Sequence, residues 1–75
     1  MSPRLPALRP RKVLKALKEA GFYEDHQAGS HVILYKDGHP NPVSVPRHNK
    51  ALKRGTLSRI IKDAGLTPGE FLQLL

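Results

Sequence analysis

Cysteine is absent from this 75-residue chain, which excludes a disulfide framework and a thiolate zinc site. A chain this short with no covalent staple has room for one modest core and relies on well-packed elements or on a partner. No apolar run is long enough to cross a membrane. The first ten residues hold three prolines and two arginines and lack the apolar centre of a signal peptide. The expectation is a soluble cytoplasmic protein with one domain over residues 10–75.

Acidic residues are scarce and unevenly placed. Lys plus Arg number 13 against 6 Asp plus Glu, a net charge of +7. No acid precedes Glu19, in a stretch that holds Arg4, Arg9, Arg11, Lys12, Lys15 and Lys18. None lies between Asp37 and Asp63, where Arg47, Lys50, Lys53, Arg54 and Arg59 fall. Two separated basic clusters on a small domain point to a polyanion bound with salt-sensitive affinity, above all a nucleic acid. The plainer reading is a solvated surface that keeps the protein soluble.

Residues 1–9 read as an extended basic arm, because Pro3, Pro6 and Pro10 disfavour helix before them. Without a ligand the arm is expected to be disordered. The first helix is expected from Pro10 to Ala20 with Gly21 as its C-terminal cap. Val13, Leu14, Leu17 and Ala20 give it one apolar stripe, a core feature and not a site. Its outward lysines either touch phosphates or are simply solvated.

Three strands follow: Phe22 to Gln27, His31 to Lys36 and Pro42 to Pro46, joined by turns at Ala28-Gly29-Ser30 and Asp37-Gly38-His39-Pro40. Strand period places His31, Ile33 and Tyr35 on one face, Val32 and Leu34 on the other. Helices in so small a domain cover a single sheet face, so a partner protein or second subunit is expected over the open one. A basic loop, Arg47 to Arg54, then delivers Gly55-Thr56 to a second helix with a stripe of Leu57, Ile60, Ile61 and Ala64, ended by Gly65. Thr67-Pro68-Gly69-Glu70 reads as a capping box that opens a last helix, Pro68 to Leu75, burying Phe71, Leu74 and Leu75. The order α-β-β-β-α-α makes an α+β two-layer sandwich.

The loop entering the second helix is the best anion site. Free amides and the positive end of the helix dipole lie beside Lys50, Lys53 and Arg54, with Arg47 upstream. Gly55 admits a phosphate close to the backbone, and Thr56 either caps the helix or bonds phosphate oxygen. An ordinary cap among solvated lysines is the competing reading. This order, with lysines at the second helix start, resembles double-stranded-RNA-binding domains, which read A-form shape, phosphates and 2′-hydroxyls. Ile61 to Pro68 also suggests a helix-turn-helix, but the final helix carries no Lys or Arg and Gly69 weakens its first turn.

The four histidines are His26, His31, His39 and His48. No HxxxH pair occurs, so no metal site and no cofactor are expected. His39, in a turn beside proline, should be exposed. A two-residue turn would set His26 across from His31, a pairing that a bulge would abolish. His31, at the mouth of a hairpin, is as readily an ordinary exposed strand residue as a proton-transfer group.

The segments GSHVILY, VSVPRH and GTLSRIIKDAGL, in this order and spacing, resemble the HicA family of toxin ribonucleases. The resemblance runs from Lys12 to Leu66. It implies the double-stranded-RNA-binding type of fold, cleavage of messenger RNA, no metal, and a HicB-type antitoxin that masks the active surface. It also implies that His31 is catalytic. RNA is cleaved without metal when its own 2′-hydroxyl attacks phosphorus, which requires a proton acceptor, a proton donor and positive charge at the phosphate. His31 is the candidate acid or base, and His48 a weaker candidate for the second proton. Lys50, Lys53 and Arg54 would hold the strand. Ser30 shapes the turn, since no triad partner accompanies it. The alternatives are a non-catalytic double-stranded-RNA-binding module and a domain that binds only protein.

Overall fold

A computed structural model describes residues 5–75. Helix α1 spans Pro10–Glu19, strands β1, β2 and β3 span Tyr23–Ala28, His31–Tyr35 and Val43–Pro46, and helices α2 and α3 span Arg54–Asp63 and Pro68–Leu72. The strands form one antiparallel sheet in the order β1-β2-β3. This is a small α+β fold with the element order expected from the sequence.

Both long helices end the same way, and for the same reason. Gly21 and Gly65 take φ of +102° and +76°, a conformation that side chains disfavour. The amide of Gly21 then bonds the Lys18 carbonyl and that of Phe22 the Leu17 carbonyl; Gly65 and Leu66 repeat this with Lys62 and Ile61. These are Schellman caps, in which the residue after the glycine turns back onto the helix. That pattern corrects the expected start of β1. Phe22 belongs to the cap and is buried, so the strand begins one residue later at Tyr23.

The core lies between the sheet and the helices. Val32 pairs with Val45 and Leu34 with Val43 across β2 and β3, so all four point to one face, each no more than 2% exposed. They meet Val13, Leu14, Ala16 and Leu17 of α1, Leu57, Ile60 and Ile61 of α2, and Phe71 of α3. Burying one such side chain contributes about 1.5–3 kcal/mol. The described residues measure 35 × 30 × 17 Å, and the short dimension has room for one sheet and one helical layer. Ala16 joins the stripe of α1, whereas Ala20 is only half-buried.

Three further expectations change. Leu5 and Leu8 rest half-buried against the core, and the Leu8 carbonyl accepts a hydrogen bond from the Leu52 amide at 2.7 Å. Residues 5–9 are therefore irregular, as their prolines require, but they are attached; Pro3 and Arg4 lie outside the described residues. Helix α3 ends at Leu72, with Leu74 half-buried and Leu75 52% exposed. Its capping box is present: Thr67 accepts from the Glu70 amide at 3.1 Å, and Glu70 accepts from the Thr67 amide at 2.8 Å. Strand β3 begins at Val43, not Pro42.

Candidate active site and nucleic-acid interface

His31 opens β2 directly after a two-residue turn. Ala28 pairs with His31, leaving Gly29 and Ser30 as the loop, and only Gly29 has positive φ, at +60°. Glycine at the first of two loop positions suits a II′ hairpin turn. The register corrects one expectation: a two-residue loop sets Ala28, not His26, across from His31, and His26 pairs with Ile33; a pair of His26 with His31 would need four loop residues. Asp25 is the extra residue of a bulge between Glu24 and His26, which returns His26 to the open face and bends the free edge.

On its other side His31 pairs with Pro46. The next amide, that of Arg47, donates to the Ser30 carbonyl at 2.6 Å. The hairpin turn and the start of the basic loop are thus tied together beside the imidazole. His31 is exposed, with buried Val32 next to it on the opposite face. It stands on the central strand, which both neighbours hold in place.

The other histidines are engaged. His26 Nδ1 lies 2.7 Å from an Asp25 carboxylate oxygen. His48 Nδ1 accepts from the Lys50 amide at 3.2 Å, leaving its Nε2 as the ring nitrogen available to a substrate. His39 is half-buried, contrary to expectation. Its Nε2 donates to the Asp63 carbonyl at 2.7 Å, and its ring meets Phe22 edge-on with centroids 5.4 Å apart. Among the described residues, His31 alone of the four has no side-chain hydrogen bond.

The basic loop runs from Arg47 to Lys53, and α2 begins at Arg54, one residue earlier than expected. Lys53 is the N-cap and supplies no side-chain cap, and no acid occupies the first turn. Thr56 therefore does not cap the helix; it lies inside the first turn, half-buried. Gly55 is exposed, with nothing within 4 Å of where a Cβ would stand. Pro46, His48, Lys50, Lys53 and Thr56 line a recess of about 340 Å³ there. Two lysines, His48 and Thr56 thus line a hollow next to a helix start, where amides lack helical partners and the dipole end is positive.

His48 and Arg47 also border a second, larger recess against α1, shared with Arg11, Lys15 and Lys18. His31 lines neither recess. The structure therefore joins Arg47, His48, Lys50, Lys53 and Thr56 through two recesses that share His48, while Arg54 and Gly55 line neither and His31, across from Pro46, stands next to the recesses on the open sheet face. Sequence reasoning overlooked Asn49 in the second recess; nothing in its spacing marks it. Among the described residues, no three His, Asp or Glu side chains gather as metal ligands, and no helix is long and apolar enough to cross a membrane.

The family model for the HicA toxin of bacterial toxin–antitoxin systems matches residues 10–66. The chain belongs to the HicA toxin family. No curated protein matches it closely enough to add a relative. The matched span starts with the first residue of α1 and ends with Leu66, the last residue of the second Schellman cap. It therefore holds the whole sheet, His31 and the basic loop, and omits α3. As a HicA family member, this chain is a toxin whose activity a cognate antitoxin restrains.

Proposed function

We propose that this toxin is a metal-independent endoribonuclease that cleaves messenger RNA in the cytoplasm by histidine general acid–base catalysis. The observation that carries the reading is His31: exposed, held on the central strand, and the one histidine with no hydrogen bond among the described residues. An exposed imidazole with no side-chain hydrogen bond can take a proton from a ribose 2′-hydroxyl or give one to a leaving oxygen. In the first step the 2′-oxygen attacks the adjacent phosphorus and its proton passes to a base. The bond from phosphorus to the 5′-oxygen breaks, and that oxygen takes a proton from an acid. Lys50, Lys53 and Arg54, with the free amides of Gly55 and Thr56, would hold phosphate oxygens and offset their charge. Arg47, whose amide bonds the Ser30 carbonyl, would do the same next to His31. His48 Nε2 is the candidate second proton-transfer group.

The open sheet face supports a HicB-type antitoxin as the restraining partner. Tyr23, Ile33 and Tyr35 share that face with His31, so a protein laid over it would cover the imidazole as well.

His31→Ala should lower RNA cleavage by about a hundred- to ten-thousand-fold, with growth arrest lost and circular dichroism and melting unchanged. Cleavage at the wild-type rate would overturn the assignment. A chelator should leave the rate intact. The alternative reading, a double-stranded-RNA-binding module without catalysis, is favoured by the cationic start of α2; labelled RNA incubated with the wild-type toxin would then survive.

A further inference from the structure

We infer that the groove between α1 and the Arg47–Asn49 segment is a second RNA subsite, which holds single-stranded RNA flanking the scissile phosphate. The inference deepens the ribonuclease reading and rests on it for the position of the cut. The groove has a volume of about 450 Å³, within the range of ligand-sized clefts. Its lining combines Arg11, Lys15, Lys18 and Arg47 with the apolar surfaces of Pro10 and Leu14. A groove lined by cations suits a single strand, whose phosphates take the charges.

Continuity with the candidate active site is built into the backbone. Arg47 follows Pro46, the cross-strand partner of His31, and its amide bonds the Ser30 carbonyl. Arg47 itself borders the groove. His48 lines both this groove and the recess at the start of α2. His48 thus links the α1 groove to the recess at the start of α2, and Pro46 and Arg47 link both to the His31 end of the sheet. Leu52, bonded through its amide to Leu8, ties the loop to the residues that precede α1, so the two walls are held at a set separation.

Glu24 is the one acid in the lining among the described residues, and its carboxylate is paired with Lys18. Arg11 and Lys15 lie on the same helix ahead of Lys18: both are exposed, and neither makes a salt bridge among the described residues. On the α1 wall they are the cations free to bind phosphate, as Arg47 is on the opposite wall.

The test uses the full chain, a single-stranded RNA long enough to extend past the cleavage site on both sides, and a short RNA trimmed to the site. Each phosphate contact on a single strand contributes about 0.7 to the slope of log affinity against log salt, so Arg11→Gln with Lys15→Gln should flatten the slope by about 1.4 on the long RNA. KM for the long RNA should rise with kcat unchanged, the short RNA should be cut as before, and Arg11→Lys with Lys15→Arg should restore binding. Glu24→Gln, which frees Lys18, should steepen the slope by about 0.7. An unchanged slope in the double variant, with wild-type cleavage present, overturns the groove and leaves the ribonuclease standing. A flattened slope with no cleavage by the wild type overturns the ribonuclease and leaves the groove as an RNA site. No binding of RNA by the wild type overturns both.

Discussion

At His39 the imidazole is committed to the fold. Its Nε2 bonds the Asp63 carbonyl at the end of α2, its ring packs edge-on against Phe22, and a Cβ added to Gly65 would stand 3.2 Å from it. One histidine thus ties the β2–β3 turn to the second Schellman cap. Losing the hydrogen bond and the aromatic pair should cost about 1–3 kcal/mol. His39→Ala should lower the urea midpoint accordingly and leave the cleavage rate of folded protein unchanged; a midpoint at the wild-type value would remove the clamp. His31 predicts the reverse, lost cleavage at constant stability. From the sequence the two are alike, each beside a turn glycine, and their roles differ because only His39 has Asp63 and Phe22 within reach. Those partners come from distant parts of the chain, so local spacing carries no trace of them.

The elements themselves were largely legible. Glycines at the ends of α1 and α2, proline at the start of α1 and α3, and the Thr67–Glu70 box all act through neighbours a few residues away. The errors fall where long-range packing competes with local pattern. Phe22 has the look of a strand residue, yet the cap turns it into the core. Leu5 and Leu8 sit among prolines and arginines, and only the core shows what holds them. Helix α3 tests its own cap. Thr67→Ala should destabilise the helix by about 1 kcal/mol, read as a lower melting temperature. The Thr67 backbone amide, and after it the Thr67 side chain, hold the Glu70 carboxyl below its ordinary value of 4.5. A depressed folded-state value gives stability that is fully present above the unfolded value and is lost as pH falls through the lower folded one. Glu70→Gln should therefore melt below the wild type at neutral pH, and the gap should close on acidification past that range. A gap independent of pH would rule out the ionised box.

Over the whole molecule, charge and apolar surface are divided between two sides. The helical side carries the basic groove against α1, the cationic start of α2 lies at the margin beside Pro46, and the open sheet face presents Tyr23, 49% exposed, with Ile33 and Tyr35 half-buried beside it. Tyr23 pairs with Tyr35 at the end of the hairpin away from His31. Tyr23→Glu should weaken capture by the cognate antitoxin by about tenfold or more, as loss of an exposed aromatic anchor does, and leave the fold intact. Equal affinity in a titration with that antitoxin would show that the partner binds elsewhere. By itself, the sequence determined the element order, the buried stripes, the caps and the two basic clusters, because each follows from periodicity, glycine and proline geometry, or charge along the chain. Only the tertiary structure decided which histidine is free, that Arg47 is bonded beside His31, and that the two basic clusters border one groove. Those are contacts between residues far apart in sequence, and packing of the sheet against α1 and α2 is what brings them together.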